Sequence, residues 1–161
     1  MPIDDVHFKL AMSHFASGVT IVSTAHEGRL YGMTVASFAS LSLQPPLVLV
    51  CIERSVKTHD AIAAAGKFGV SILSSEQTDI SSKFASRSDD KFTGVDLVPG
   101  ELDAPFSVPL IKGALTAIEC RLYDRVPGGD HTIFIGEVMK IHTREGNPLL
   151  YFRSGYREMR S

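Results

Sequence analysis

The sequence has no cluster of lysine or arginine; its net charge is −2 and its pI is near 6.3. A surface that neutralises several phosphates of a nucleic acid needs a basic stripe, so that class of partner is excluded. Nowhere do eighteen apolar residues run together, and the opening "MPIDDVHFKLAMSHF" has no basic segment leading into an apolar block. With neither a membrane span nor a secretory leader to read, the expectation is a soluble, cytoplasmic protein. Cysteine is scarce. Cys51 and Cys120 stand alone in the apolar runs "LVLVCIE" and "AIECRLY", with no histidine at metal-ligand spacing. They read as buried thiols, and no metal site is expected.

Several catalytic signatures are missing as well. There is no G-x-G-x-x-G, no G-x-x-x-x-G-K-[ST], no G-x-S-x-G elbow and no H-E-x-x-H pair, and Gly66 and Gly69 of "GKFGV" fit none of them. Dinucleotide crossovers, phosphate loops, serine hydrolases and zincins therefore start low.

What remains is an ordinary globular composition, 44% apolar and 21% charged, in 161 residues. That length suits one domain, 1–161, able to hold a core without disulfides or metal. An opening helix is capped by Asp4 or Asp5, carries Val6, Phe8, Leu10 and Phe15, and ends at Gly18. The segments 19–25, 30–43 and 47–53 are rich in β-branched and apolar residues and are separated by the turn-like "HEGR" and "QPP". Two short helices follow, after Lys57 and from Ser75, with the strand "KFGVSIL" between them. The stretch from Arg87 to Pro109 has no period and reads as a long surface connection. Strands return at 114–126, 131–143 and 149–154. Short turns between these strands favour a closed or half-closed antiparallel barrel over a doubly wound parallel sheet. Phe8, Phe15, Phe68, Phe134 and Tyr123 read as core residues, and His14, His26, His59 and His142 as surface or helix-edge residues.

Three features ask for more than packing. The stretch Tyr31 to Ile52 is loaded with small side chains, and Thr34, Ser37 and Ser40 add hydroxyls, a surface that lets a flat ligand approach the backbone. Lys57 and Thr58 stand at a helix start, where an ammonium and a hydroxyl suit an anionic phosphate. His131 follows the turn "PGGD" directly and opens the strand "HTIFIGEV".

The spaced segments "FASGVTIVST", "YGMTVASFASLSLQPPLVLVCIERSVKT", "GKFGVSIL", "KFTGV", "GALTAIEC", "GGDHTIFIGEV" and "PLLYFRSGY" occur in one order along nearly the whole chain. Together they resemble the flavin reductase family that serves two-component flavin-dependent monooxygenases. The resemblance implies a mainly β fold, an FMN-binding antiparallel split β-barrel of Greek-key type with a few peripheral helices. It also implies a homodimer that passes hydride from NADH or NADPH to FMN or FAD, with the reduced flavin diffusing to a separate monooxygenase component. Carried onto this sequence, it places Thr34, Val35, Ala36 and Ser37 along the isoalloxazine, with Ser40 and Leu41 continuing the wall. Cys51, Ile52, Ser55, Lys57 and Thr58 would meet the ribityl chain and phosphate. Phe84 and Ala85 form a second flavin-contacting segment, to which Lys83 adds charge. His131 would meet the nicotinamide as the catalytic residue, with Asp130 orienting its turn and Arg153, Ser154 and Tyr156 assisting. Ala36 stands where many members have asparagine, which leaves the choice between FMN and FAD open. Two other readings stay beside this one: a flavin-binding sensor or carrier without turnover, and an oxidase on the same barrel that keeps its flavin tightly bound.

Overall fold

The computed structural model of the chain describes residues 2–100 and 104–160. Among the described residues three helices, α1 (Asp5–Met12), α2 (Lys57–Ala65) and α3 (Thr78–Ala85), accompany ten strands. In chain order these are β1 (Ser17–Gly18), β2 (Thr20–His26), β3 (Arg29–Val35), β4 (Phe38–Ser42), β5 (Leu47–Glu53) and β6 (Lys67–Ile72), then β7 (Thr116–Gly128), β8 (His131–Thr143), β9 (Leu150–Phe152) and β10 (Gly155–Arg157). Seven strands form one antiparallel sheet in the order β3-β2-β6-β7-β8-β5-β4, and β1-β9-β10 form a small second sheet. None of the described helices is long and apolar enough to cross a membrane.

The two edges of the large sheet, β3 and β4, are neighbours in sequence, joined only through Ala36 and Ser37. A link of that length keeps Val35 and Phe38 within about 11 Å, so the sheet has to curl until its edges meet. The result is a split barrel whose two edge strands are joined at one corner, the seam, by the chain and are not paired by a ladder. The expected single strand over 30–43 is therefore two strands, broken where the chain crosses that seam.

Curling determines which residues are buried. One cluster fills the barrel, with Val22, Val50, Ile52, Phe68, Val70, Cys120 and Phe134 packed around Ile62 of α2. A second cluster lies on the other face of β2, where Val19, Ile21 and Leu73 meet Phe84 of α3. Covering both faces explains why β2 is buried continuously from Thr20 to Thr24 and does not alternate. Gly66 ends α2 in the left-handed conformation, at φ 69°.

Phe68 and Phe134 are fully buried, as expected, whereas Phe8, Phe15 and Tyr123 are exposed. Tyr123 is the extra residue of a β-bulge between Leu122 and Asp124, which turns it out of the barrel. On α1 no residue is buried, so Phe8 and the other apolar residues of its stripe are left uncovered by the described residues. Asp4 caps α1 by accepting the His7 backbone N–H at 2.9 Å. The helix stops at Met12, short of Gly18, because Ser17 and Gly18 are taken up as β1 against β9. The described part of the connection from Arg87 to Pro109 is irregular as read, yet its end is not on the surface: Val108 and, just beyond it, Leu110 are buried against Ala117 of β7.

Candidate functional site

A cleft of about 710 Å³ opens beside the seam. Its walls are β3 from Arg29 to Thr34, the passage from the end of β5 into α2 (Glu53 to Thr58), and the end of α3 with the segment after it. Each wall follows from the fold. β3 is a sheet edge with one side unpaired, α2 presents its N-terminus, and Phe84 is held by burial in the second cluster.

Local chemistry makes the cleft cationic. Arg29, Lys57, Arg87 and Lys91 line it, against the carboxylates of Glu53 and Asp89, in a chain whose net charge is −2. Val56 stands at the N-cap of α2, where no side chain accepts from the first turn. That helix end therefore keeps its partial positive charge for a ligand. Lys57 Nζ is 2.9 Å from Asp89 Oδ1, and this hydrogen bond, reinforced by the lysine's charge, holds the Asp89 carboxyl below its usual range. Lys91 donates to the carbonyls of Gly32 at 3.0 Å and Phe84 at 2.9 Å, tying β3 to the end of α3. Burial lowers the pKa of its ammonium, with Asp89 acting in the opposite sense.

Six of the residues singled out from sequence line this cleft: Thr34, Ser55, Lys57, Thr58, Phe84 and Ala85. Thr34 donates to the Ser81 carbonyl at 2.6 Å, and Ser55 donates to Glu53 Oε1 at 3.0 Å. Val35 and Ile52 have their side chains in the core, which leaves only their backbone for any ligand. Ala36 and Ser37 are exposed at the seam, where the Ser37 hydroxyl donates to the Cys51 carbonyl at 3.0 Å. Ser40 and Leu41 are exposed along β4. Cys51 is half-buried, and burial raises its thiol pKa despite the Ser37 bond.

His131 opens β8 directly opposite Glu53 of β5, so it stands next to a residue of the cleft wall. Its Nδ1 lies 2.6 Å from Asp130 Oδ1, and the ring is 42% exposed, available to a ligand on its other nitrogen. The bond to His131 also holds the Asp130 carboxyl below its usual value. The turn is fixed from β5: the Arg54 N–H donates to the Asp130 carbonyl at 3.0 Å, and the Arg54 guanidinium donates to that of Gly129. Arg153, Ser154 and Tyr156 lie outside the cleft lining. Arg153 and Ser154 form the β9–β10 turn at φ 50° and 61°, and the Arg153 N–H reaches the Ser13 carbonyl at 2.8 Å. The Tyr156 hydroxyl is 2.7 Å from Ser81 Oγ, so one residue of α3 connects Tyr156 to Thr34.

Sequence reasoning assigned no role in the site to Tyr31, Asp89 or Lys91: Tyr31 and Lys91 open segments that carry the family resemblance without a role of their own, and Asp89 lies in an aperiodic stretch. It also placed His59 at the surface. In the structure the His59 side chain is 13% exposed, with Nε2 at 2.7 Å from Thr132 Oγ1, Nδ1 at 2.9 Å from Asp60 Oδ1 and the ring 5.0 Å from Phe134. From the start of α2 the His59 ring reaches across to β8, and its contacts with Thr132 and Phe134 bury it. His59→Ala strands the buried Thr132 hydroxyl and is expected to lower the unfolding free energy by about 2 kcal/mol in urea titrations. A change within error would mean that another group takes over the Thr132 bond.

Comparison with known proteins bears on the chain as a whole. A family model described as a flavin reductase like domain matches residues 12–160. The chain is 39% identical over 155 residues to the reductase component of a 4-nitrophenol 4-monooxygenase/4-nitrocatechol 2-monooxygenase of Rhodococcus opacus, spanning 96% of this chain and 81% of that one. It is 40% identical over 153 residues to the reductase component of a 4-hydroxyphenylacetate 3-monooxygenase of Thermus thermophilus, covering 94% and 95% of the two chains. Among solved structures, the Streptomyces globisporus NADH:FAD oxidoreductase SgcE6 in complex with NAD and FAD fragments superposes with a TM-score of 0.91 at 36% identity, over 98% of this chain and 93% of that one.

Proposed function

The chain belongs to the flavin reductase-like family, and we propose that the cleft between β3, α2 and α3 is where it holds flavin. It is a flavin reductase, a split-barrel enzyme that reduces flavin with a nicotinamide nucleotide and supplies a separate monooxygenase component. One observation supports placing the site here: four cations surround an uncapped helix start beside a buried aromatic wall.

The residues present fit such a ligand. Lys57, Thr58 and the first turn of α2 suit a phosphate, with Ser55 beside them. Thr34, Phe84 and Ala85 offer a wall for a flat ring, to which Val35 and Ile52 contribute backbone. Ala36, Ser37, Ser40, Leu41 and Cys51 carry that wall across the seam. Flavin and reduced nicotinamide supply the hydride chemistry between them, and no carboxylate pair or triad is demanded of the protein. Its residues position the reactants: His131, braced by Asp130, is the catalytic residue that meets the nicotinamide. FMN or FAD serves as flavin and NADH or NADPH as donor, and residues 1–161 act as one domain.

A homodimer completes the reading. The uncovered apolar residues of α1 and of the turn after it, with Val6 at 75% and Phe15 at 80% exposure, are more than an isolated chain leaves in water without reason. Arg153, Ser154 and Tyr156 lie apart from the cleft of their own chain and contribute to nicotinamide binding through that interface.

The deciding measurement is the loss of NADH and NADPH absorbance by purified protein with FMN, with FAD and with no added flavin. Oxidation that saturates with added flavin is expected, and the four combinations rank donors and acceptors. His131→Ala is expected to lower kcat/KM for the nicotinamide roughly tenfold, the loss of one oriented hydrogen bond, with flavin affinity unchanged. Flavin binding without oxidation of either nicotinamide would overturn the reductase reading in favour of a flavin carrier.

A further inference from the structure

An anionic ligand at the start of α2 has to contend with a carboxylate already there. Asp89 Oδ1 lies 2.9 Å from Lys57 Nζ, and both residues line the cleft. Asp89 is not on a loose arm. Two residues on, Lys91 is anchored to the carbonyls of Gly32 and Phe84, and the Asp90 N–H donates to Ser88 Oγ at 3.0 Å. The segment thus delivers one negative charge to Lys57 from across the cleft.

This pair does little for folding. Its side chains are 67% and 66% exposed, and ion pairs that open to water contribute almost nothing net to stability. Its effect on a ligand is larger, because a phosphate and a carboxylate repel when they share one ammonium. We propose that Asp89 is an intramolecular competitor for the flavin phosphate, an affinity-setting residue that holds Lys57 when the cleft is free and yields it when a phosphorylated flavin binds. The proposal rests on the reading of Lys57 as a phosphate ligand given above. Its consequence fits a reductase whose product must leave for another protein: the carboxylate beside Lys57 weakens the hold on the phosphate and so favours release.

The test compares FMN with riboflavin, which lacks the phosphate, by fluorescence titration at low salt against wild type, Asp89→Asn, Lys57→Met and the double variant. Asparagine keeps the shape at an exposed position, and circular dichroism checks the fold. Asp89→Asn is expected to tighten FMN roughly five- to tenfold, the removal of one nearby like charge, and to leave riboflavin unchanged. On the Lys57→Met background the same substitution is expected to lose most of its effect on FMN. Equal affinity of the wild type for FMN and riboflavin would overturn the phosphate role of Lys57, and the proposal with it. A wild type that prefers FMN, with an Asp89→Asn variant that does not tighten it, would overturn the competitor alone. So would a gain of the same size with and without Lys57.

Discussion

Phe84→Ala is expected to lower the unfolding free energy by about 3–5 kcal/mol, a large part of what a domain of this size has. The ring is fully buried in the cluster under α3 and meets Phe92 edge-on, with centroids 4.9 Å apart. Nothing else can fill its place easily. Beneath it is Gly32, where a Cβ would lie 2.8 Å from the Phe84 ring, so the ring already rests on bare backbone of β3. Removing it leaves a void beneath the cleft and loosens the carbonyl to which Lys91 donates. Urea unfolding followed by circular dichroism measures the loss, and Phe84→Leu should restore more than half of it. Flavin affinity should fall alongside stability in the alanine variant. A loss below about 1 kcal/mol would show that α3 collapses onto β3 and closes the void.

Gly136→Ala is expected to cost about 3 kcal/mol for the opposite reason, too much volume. Gly136 lies on β8 between Val48 of β5 and Leu122 of β7, facing the barrel interior. A Cβ there would be 2.5 Å from Phe68 Cζ and 2.7 Å from the Cβ of Cys120, and both neighbours have zero exposure. The phenylalanine has no free space into which to swing, and a Cβ moves only with its strand. Combining the substitution with Phe68→Leu should recover part of the loss, a coupling that separates crowding from altered strand propensity. Gly18→Ala makes the contrast: nothing lies within 4 Å of that position, and the change should stay within about 0.5 kcal/mol. If Gly136→Ala were equally mild, the barrel interior would be less tightly packed than these distances say.

The contrast between Phe68 and Phe8 shows what can be read from sequence and what cannot. Both sit in apolar patterns of ordinary periodicity, and periodicity reports that a face is apolar without saying what covers it. Phe68 is covered by this chain; the face of α1 that carries Phe8 is not. Strand positions were legible because β-branched runs and turn residues are local signals. The break at Ala36 and Ser37 was not, since it arises from closing the barrel, a requirement no five-residue window contains. In the cleft, Lys57 and Thr58 were legible from their place at a helix start, and Phe84 and Ala85 from the family resemblance. Lys91 and Asp89 lie in a segment whose shape is dictated by bonds to Gly32 and Lys57, residues 59 and 32 positions away. His59 was misplaced for the same reason, its partner Thr132 lying 73 positions on.

The seam between β3 and β4 also bears on how such a protein changes over generations. Every other strand boundary of the large sheet is a ladder in which a substitution has to respect two neighbours and a register. In the segment after α3 there is no ladder to respect, yet it borders the cleft. Ligand preference can therefore drift by single replacements there while the barrel keeps its pairing, which separates the evolution of what is bound from the evolution of what folds.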